Sequence, residues 1–157
     1  RGLGDVYKRQ NPSFWHAAKR NKSNELLKVL SDSGGILGFS LYPHHLKNNT
    51  NCTLDSFCEM IARTSDIMNI KNIGIGSDLC LNQPDEIVEW MRNGTWSRNK
   101  NYGEGSKNKP GFPKQPDWFE DARGFFNIEK GLRKVGFSEE ETNGILGNNW
   151  YNFYRNI

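Results

Sequence analysis

The stretch NIGIGSD, residues 72–78, is a short apolar run that ends on a carboxylate. A buried parallel strand with an aspartate at its carboxyl end is how α/β barrels present acid–base groups. Asp78 is therefore the first catalytic candidate, and Gly74 and Gly76 leave room beside it. Taken alone, such an aspartate is more often a helix cap or a turn residue. Arg20, just ahead of Asn21, supplies a guanidinium able to clamp a carboxylate through two parallel hydrogen bonds. Taken alone, an arginine before a helix usually faces solvent. Tyr42 follows a second apolar run and faces either a site or the edge of the core. His16, His44 and His45 are of metal-ligand type, but no H-x-H or H-E-x-x-H spacing occurs. Cys52, Cys58 and Cys80 form no C-x-x-C, which argues against a thiolate zinc site. The glycines of IGIGSD do not complete a G-x-G-x-x-G loop.

These side chains need elements to hold them. SNELLKVLSDSGG reads as a helix capped by Ser23, with Leu26, Leu27 and Leu30 on one face and Gly34–Gly35 as its stop. ILGFSLY, residues 36–42, reads as a buried strand closed by Pro43. TLDSFCEMIARTSDIMNI is the strongest helix, capped by Thr53. With NIGIGSD as the next strand, the order is strand–helix–strand, which predicts two parallel strands in one sheet. From Leu79 the pattern breaks, and residues 93–118 read as a long loop rich in Gly, Pro, Asn and Lys. Its Trp96, Tyr102, Phe112 and Trp118 argue for a packed loop. FNIEKGLRKVG and FSEEETNGILGNNWYNFYRNI predict two closing helices, the second opened by a Ser138/Glu141 capping box.

The first ten residues, RGLGDVYKRQ, stand apart. They lack the apolar core of a secretory signal. DVYKRQ back-translates as GAT GTG TAT AAG AGA CAG, which resembles the mosaic end of a transposon adapter. Residues 1–10 are therefore expected to be adapter-derived, unstructured and without specific contacts, and the domain is expected to run over residues 11–157. Arg1, Lys8 and Arg9 carry most of the net charge of +3. Without them no Lys/Arg cluster remains, so a nucleic-acid partner is not expected. No apolar run approaches the length of a membrane span. Three cysteines with no paired spacing favour a reducing cytoplasm over a disulfide framework.

NPSFWHAAKRN, GGILGFSLYP, NIGIGSD and the closing GFSEEETNGILGNNWYNFY, taken together and in this order, resemble the C-terminal part of the membrane (renal-type) dipeptidase family of zinc peptidases. The resemblance runs from Asn11 to the end. It implies an α/β fold, the C-terminal part of a (β/α)8 barrel cut to about two barrel strands, with its N-terminal half missing as a partner. It implies a dipeptide substrate and two zinc ions in the intact parent. Asp78 matches the aspartate ending the family's eighth strand, Arg20 the arginine that holds the substrate carboxylate, and Tyr42 an aromatic residue of the seventh strand. The family's zinc ligands come from earlier strands and do not carry over. This chain is expected to bind no zinc and to be inactive by itself. The stretch after Asp78 departs from the family's common continuation and leaves substrate preference open. A non-catalytic ligand-binding module and another metal-dependent amidohydrolase barrel are the alternatives.

Overall fold

The computed structural model describes residues 6–93, 107–108 and 111–156. It is an α/β structure built on three parallel strands, β1 (Val6–Tyr7), β2 (Ile36–Phe39) and β3 (Ile73–Ile75), in the order β1-β2-β3. Leu37 pairs with Ile73, Gly38 with Gly74 and Phe39 with Ile75. Side chains alternate across a strand, so this register sorts the sheet into two faces. Leu37, Phe39, Ile73 and Ile75 form one, all buried in the main core. The glycine pair forms the other.

Helices cover the apolar face. In α1 (Asn24–Asp32), the Ser23 side chain accepts from the Leu26 amide, and Leu27 and Leu30 are buried. In α2 (Leu54–Ser65), Thr53 accepts from the Ser56 amide at 3.1 Å and the helix buries Phe57, Cys58, Met60 and Ile61. Both caps stand where the sequence places them, because a side-chain oxygen on an extended residue satisfies a first-turn amide that has no helical partner. A further helix, α3 (Asp85–Arg92), occupies a stretch the sequence left without an element. Pro84 sits at its N-cap and Val88 is its buried residue. In α4 (Phe125–Lys134), Ile128 and Leu132 pack into the main core. Trp118 closes that core beside Phe57, with its indole N–H donating to the Cys52 carbonyl at 2.7 Å. Trp96 and Tyr102 of the expected packed loop lie outside the described residues.

The Ser138/Glu141 capping box is present at the start of α5 (Glu139–Asn143). The sequence read one helix from there to the end; the chain instead widens into a π-helical segment, Gly144–Asn148, before α6 (Asn149–Arg155). The wider segment delivers Asn149 to the sheet, where its side-chain amide donates to the Ile70 and Ile73 carbonyls, both at 2.8 Å. The amino end of β3 is thereby fixed.

Burial pushes the Cys58 thiol up to about 12 and the Cys52 thiol up to about 11, from an ordinary 9.0. The unfolded chain therefore releases these protons first. The stabilising contribution is complete below about pH 9 and is lost as pH rises through the folded values. We expect the unfolding free energy from urea titration to fall above pH 9, by about 1.4 kcal/mol per pH unit for each thiol titrating only when unfolded. A Cys52→Ala/Cys58→Ala variant should have a shallower alkaline slope. An identical slope in both proteins would show that the thiols are not the cause.

Candidate active site

Asp78 stands three residues beyond β3, and its position is fixed from the backbone outward. The Gly76 amide donates to the Phe39 carbonyl at 2.9 Å, and the Leu41 amide to the Ser77 carbonyl at 3.0 Å. These bonds continue the β2–β3 pairing to the residue before Asp78. Asp78 itself is left-handed, at φ +59. Aspartate tolerates that region better than most side chains, at a cost in local strain. One carboxylate oxygen accepts from Arg9 at 2.7 Å, with the Asp78 side chain 24% accessible.

Tyr42 follows the carboxyl end of β2, the strand hydrogen-bonded to β3. Its amide donates to the Ser40 hydroxyl, and its ring meets those of His44 and His45 edge-on, at 5.4 and 5.0 Å between centroids. Arg20 lies in an exposed turn and has no hydrogen-bond or ion-pair partner among the described residues. The turn is nevertheless anchored. The side-chain amide of the next residue, Asn21, donates to the His16 and His45 carbonyls at 2.7 and 3.1 Å. Tyr42 and Asp78 thus follow the carboxyl ends of adjacent strands, and the Arg20 turn is tied to the β2 side.

Sequence reasoning missed the group that makes this anchoring possible. Asn11 is fully buried. Its side-chain amide donates to the Ser40 and His45 carbonyls at 3.0 and 3.1 Å, and its side-chain oxygen accepts from the Ser40 amide at 2.9 Å. His45, also buried, places Nδ1 2.9 Å from the Ser40 hydroxyl. Asn11, Asn21, Ser40 and His45 form one polar knot behind the strand ends. A histidine pair between a strand and a helix would ordinarily be expected in an exposed loop, but here His45 is buried. Two asparagines ten residues apart carry no motif; only tertiary placement reveals them.

A second correction concerns the amino terminus. Residues 6–10 do make specific contacts. Val6 and Tyr7 pair with Ile36 and Leu37, and the Gln10 amide donates to the Gly38 carbonyl at 3.1 Å. Lys22 places its ammonium 5.0 Å from the centre of the Tyr7 ring. The physical reason is the edge of β2, whose amides and carbonyls would otherwise lack partners. A nearby extended segment carrying a β-branched and an aromatic residue is suited to fill it. The backbone of Lys8 passes so close over the glycine face that a Cβ on Gly38 or Gly76 would run into the Lys8 carbonyl. We therefore expect Gly76→Ala to detach residues 6–10 while the helix-covered core keeps its fold. Amide hydrogen exchange checks this: the Gln10 amide should lose protection while those of β3 keep theirs. Unchanged protection at Gln10 would contradict it.

Metal chemistry needs converging donors. Among the described residues, no three His, Cys, Asp or Glu side chains stand together to hold an ion. His45 is engaged with Ser40, Asp78 with Arg9, and the Cys52 and Cys58 thiols are buried and held protonated. The described residues do not fit a two-zinc centre.

No protein-family model matches the sequence, and no curated protein matches it. Solved structures do. An amidohydrolase from Pseudomonas aeruginosa superposes with a TM-score of 0.78 and 27% identity, over 96% of this chain and 44% of that one. A metallopeptidase, dipeptidase AC, superposes with a TM-score of 0.69 and 14% identity, over 96% of this chain and 37% of its own. The resemblance to the dipeptidase family holds in three dimensions. A third neighbour, a metallopeptidase from Rhodobacter sphaeroides bound to a phosphinate mimic of L-Ala-D-Ala, has a TM-score of 0.61 and 15% identity, over 87% of this chain and 31% of that one. The chain thus spans less than half the length of each of these dipeptidase-type and amidohydrolase neighbours.

Proposed function

We propose that this chain is the C-terminal part of a metallo-dipeptidase barrel and supplies its substrate-orienting groups. The observation that carries the reading is Asp78, held left-handed at the carboxyl end of a buried parallel strand, in a chain that matches an amidohydrolase over 96% of its length. Asp78 takes the substrate's ammonium and can return a proton to the leaving nitrogen. Arg20 clamps the terminal carboxylate and sets the register of the dipeptide. Tyr42 borders the same end of the sheet. The described residues offer no fitting metal site, so in this reading the chain binds and orients, while any metal of the intact barrel would be held by other residues and would supply the activated water.

The test is complementation. The chain, coexpressed with the N-terminal half of the Pseudomonas aeruginosa amidohydrolase, should yield zinc-dependent hydrolysis of dipeptides that neither piece shows alone. Arg20→Ala in that complex should weaken binding of free-carboxylate dipeptides by about tenfold to a hundredfold, the worth of a charge-assisted pair. C-terminally amidated dipeptides should be poor substrates and insensitive to the change. Stoichiometric zinc and turnover in the isolated chain would show that the ligands have been misplaced. Equal activity on amidated dipeptides would remove the role of Arg20.

A further inference from the structure

The strands run in the order β1-β2-β3, so β1 and β3 are not neighbours. Arg9, two residues past β1, nevertheless reaches Asp78, three residues past β3, at 2.7 Å. That contact has to cross the carboxyl end of β2. The amino-terminal arm is seated for the crossing at several points. Val6 and Tyr7 pair with β2, and the Gln10 amide donates to the Gly38 carbonyl. Tyr7 packs against the main core, and the Lys22 ammonium lies over its ring. Between these anchors the Lys8 carbonyl rests on Gly38 and Gly76, where any side chain would push it off. The arm thus carries a cation to the candidate catalytic carboxylate from a backbone that is itself held in place.

We infer that residues 6–10 are an autoinhibitory strap, in which the Arg9 guanidinium stands where a substrate's ammonium would meet Asp78. The competition with substrate rests on the role of Asp78 proposed above; the strap itself rests only on contacts within this chain. A cation tethered in this way is present at an effective concentration of about millimolar, so a free ammonium at lower concentration loses the competition. The hold is nevertheless reversible. The Arg9 and Asp78 side chains are 56% and 24% accessible, and a pair so exposed shifts an opening equilibrium by about two- to fivefold. Salt weakens it, because the charges face water. Such a contact opens locally and leaves the helix-covered core folded.

The test is carboxylate labelling of the full chain with a water-soluble carbodiimide and glycinamide, read residue by residue by mass spectrometry. Asp78 should label about two- to fivefold faster in Arg9→Gln than in the unmutated chain. Arg9→Lys, which keeps the charge, should restore most of the protection. Glu59, exposed and paired with Arg63, is the internal control and should label at one rate in all three proteins. Amide exchange gives a second readout. The Gln10 amide should exchange about two- to fivefold faster in Arg9→Gln and in Asp78→Asn, and no faster still in the double variant. The Gly76 amide, bonded to the Phe39 carbonyl, should keep its protection throughout. High salt should bring the unmutated chain toward the rate of the variants and leave the variants unchanged. Equal labelling of Asp78 with and without Arg9 would overturn the strap, as would additive effects of the two substitutions at Gln10. A rise at Glu59 as large as that at Asp78 would overturn it too, by showing a general loosening. These readouts need neither metal nor turnover, so a failed strap and a failed complementation are told apart.

Discussion

Asn11→Ala is expected to destabilise the chain by about 3 kcal/mol, well beyond the ordinary effect of a single substitution. The side chain is fully buried and makes three hydrogen bonds, two with the backbone of Ser40 and one with the His45 carbonyl. The His45 carbonyl keeps the Asn21 side-chain amide as a donor after the change. The Ser40 amide and carbonyl lose their Asn11 partner. An orphaned buried donor or acceptor costs about 1–3 kcal/mol, so two such groups account for the figure. Asn11→Asp should be worse than alanine. It keeps an acceptor for the Ser40 amide but turns a negative oxygen toward two carbonyls. Urea unfolding of the three proteins checks the order. A loss below about 1 kcal/mol for alanine would mean that water satisfies Ser40 and that the knot does not hold the strand end.

The knot also explains where sequence reasoning stopped. Ser23, Thr53 and Ser138 could be assigned as caps because a cap acts over three residues, and the residues concerned are adjacent in the chain. Asn11 acts on residues 29 and 34 positions away, and no local pattern encodes that reach. The strand ends ahead of Tyr42 and Asp78 are legible because apolar runs fix where strands end. Arg20 enters as a candidate through the family resemblance, since an exposed arginine in a turn has no spacing of its own. The arm was misjudged for a different reason. Pairing at a sheet edge depends on backbone groups, which every sequence has, so a composition foreign to the domain does not prevent Val6 and Tyr7 from joining β2. Arg9, the partner of Asp78, was lost with it. Helix α3 was missed because Pro84 was read as part of a broken region, whereas proline is well tolerated where a helix begins.

The glycine face supplies the other large effect. Trp150 lies across Gly38 and Gly74, with its indole N–H donating to the Ile75 carbonyl at 3.0 Å and its ring stacked on Tyr154 at 5.8 Å. Trp150→Ala removes the cover from a sheet that has no side chains of its own at those positions. The loss should be about 3 kcal/mol, at the lower end for tryptophan because the ring is only half-buried. The opposite change tests the same contact from the other side. A Cβ on Gly74 would stand 2.5 Å from the indole nitrogen, so Gly74→Ala must push the ring away. Overpacking of this kind costs about 1–3 kcal/mol. In the Trp150→Ala background the space is open, and alanine is the better strand residue, so Gly74→Ala should there be neutral or slightly stabilising. The two substitutions should therefore be strongly non-additive, with a coupling energy of about 2 kcal/mol in a double-mutant cycle. Additive losses would mean that the indole does not rest on Gly74, and that Gly74 is set by some demand other than the approach of Trp150.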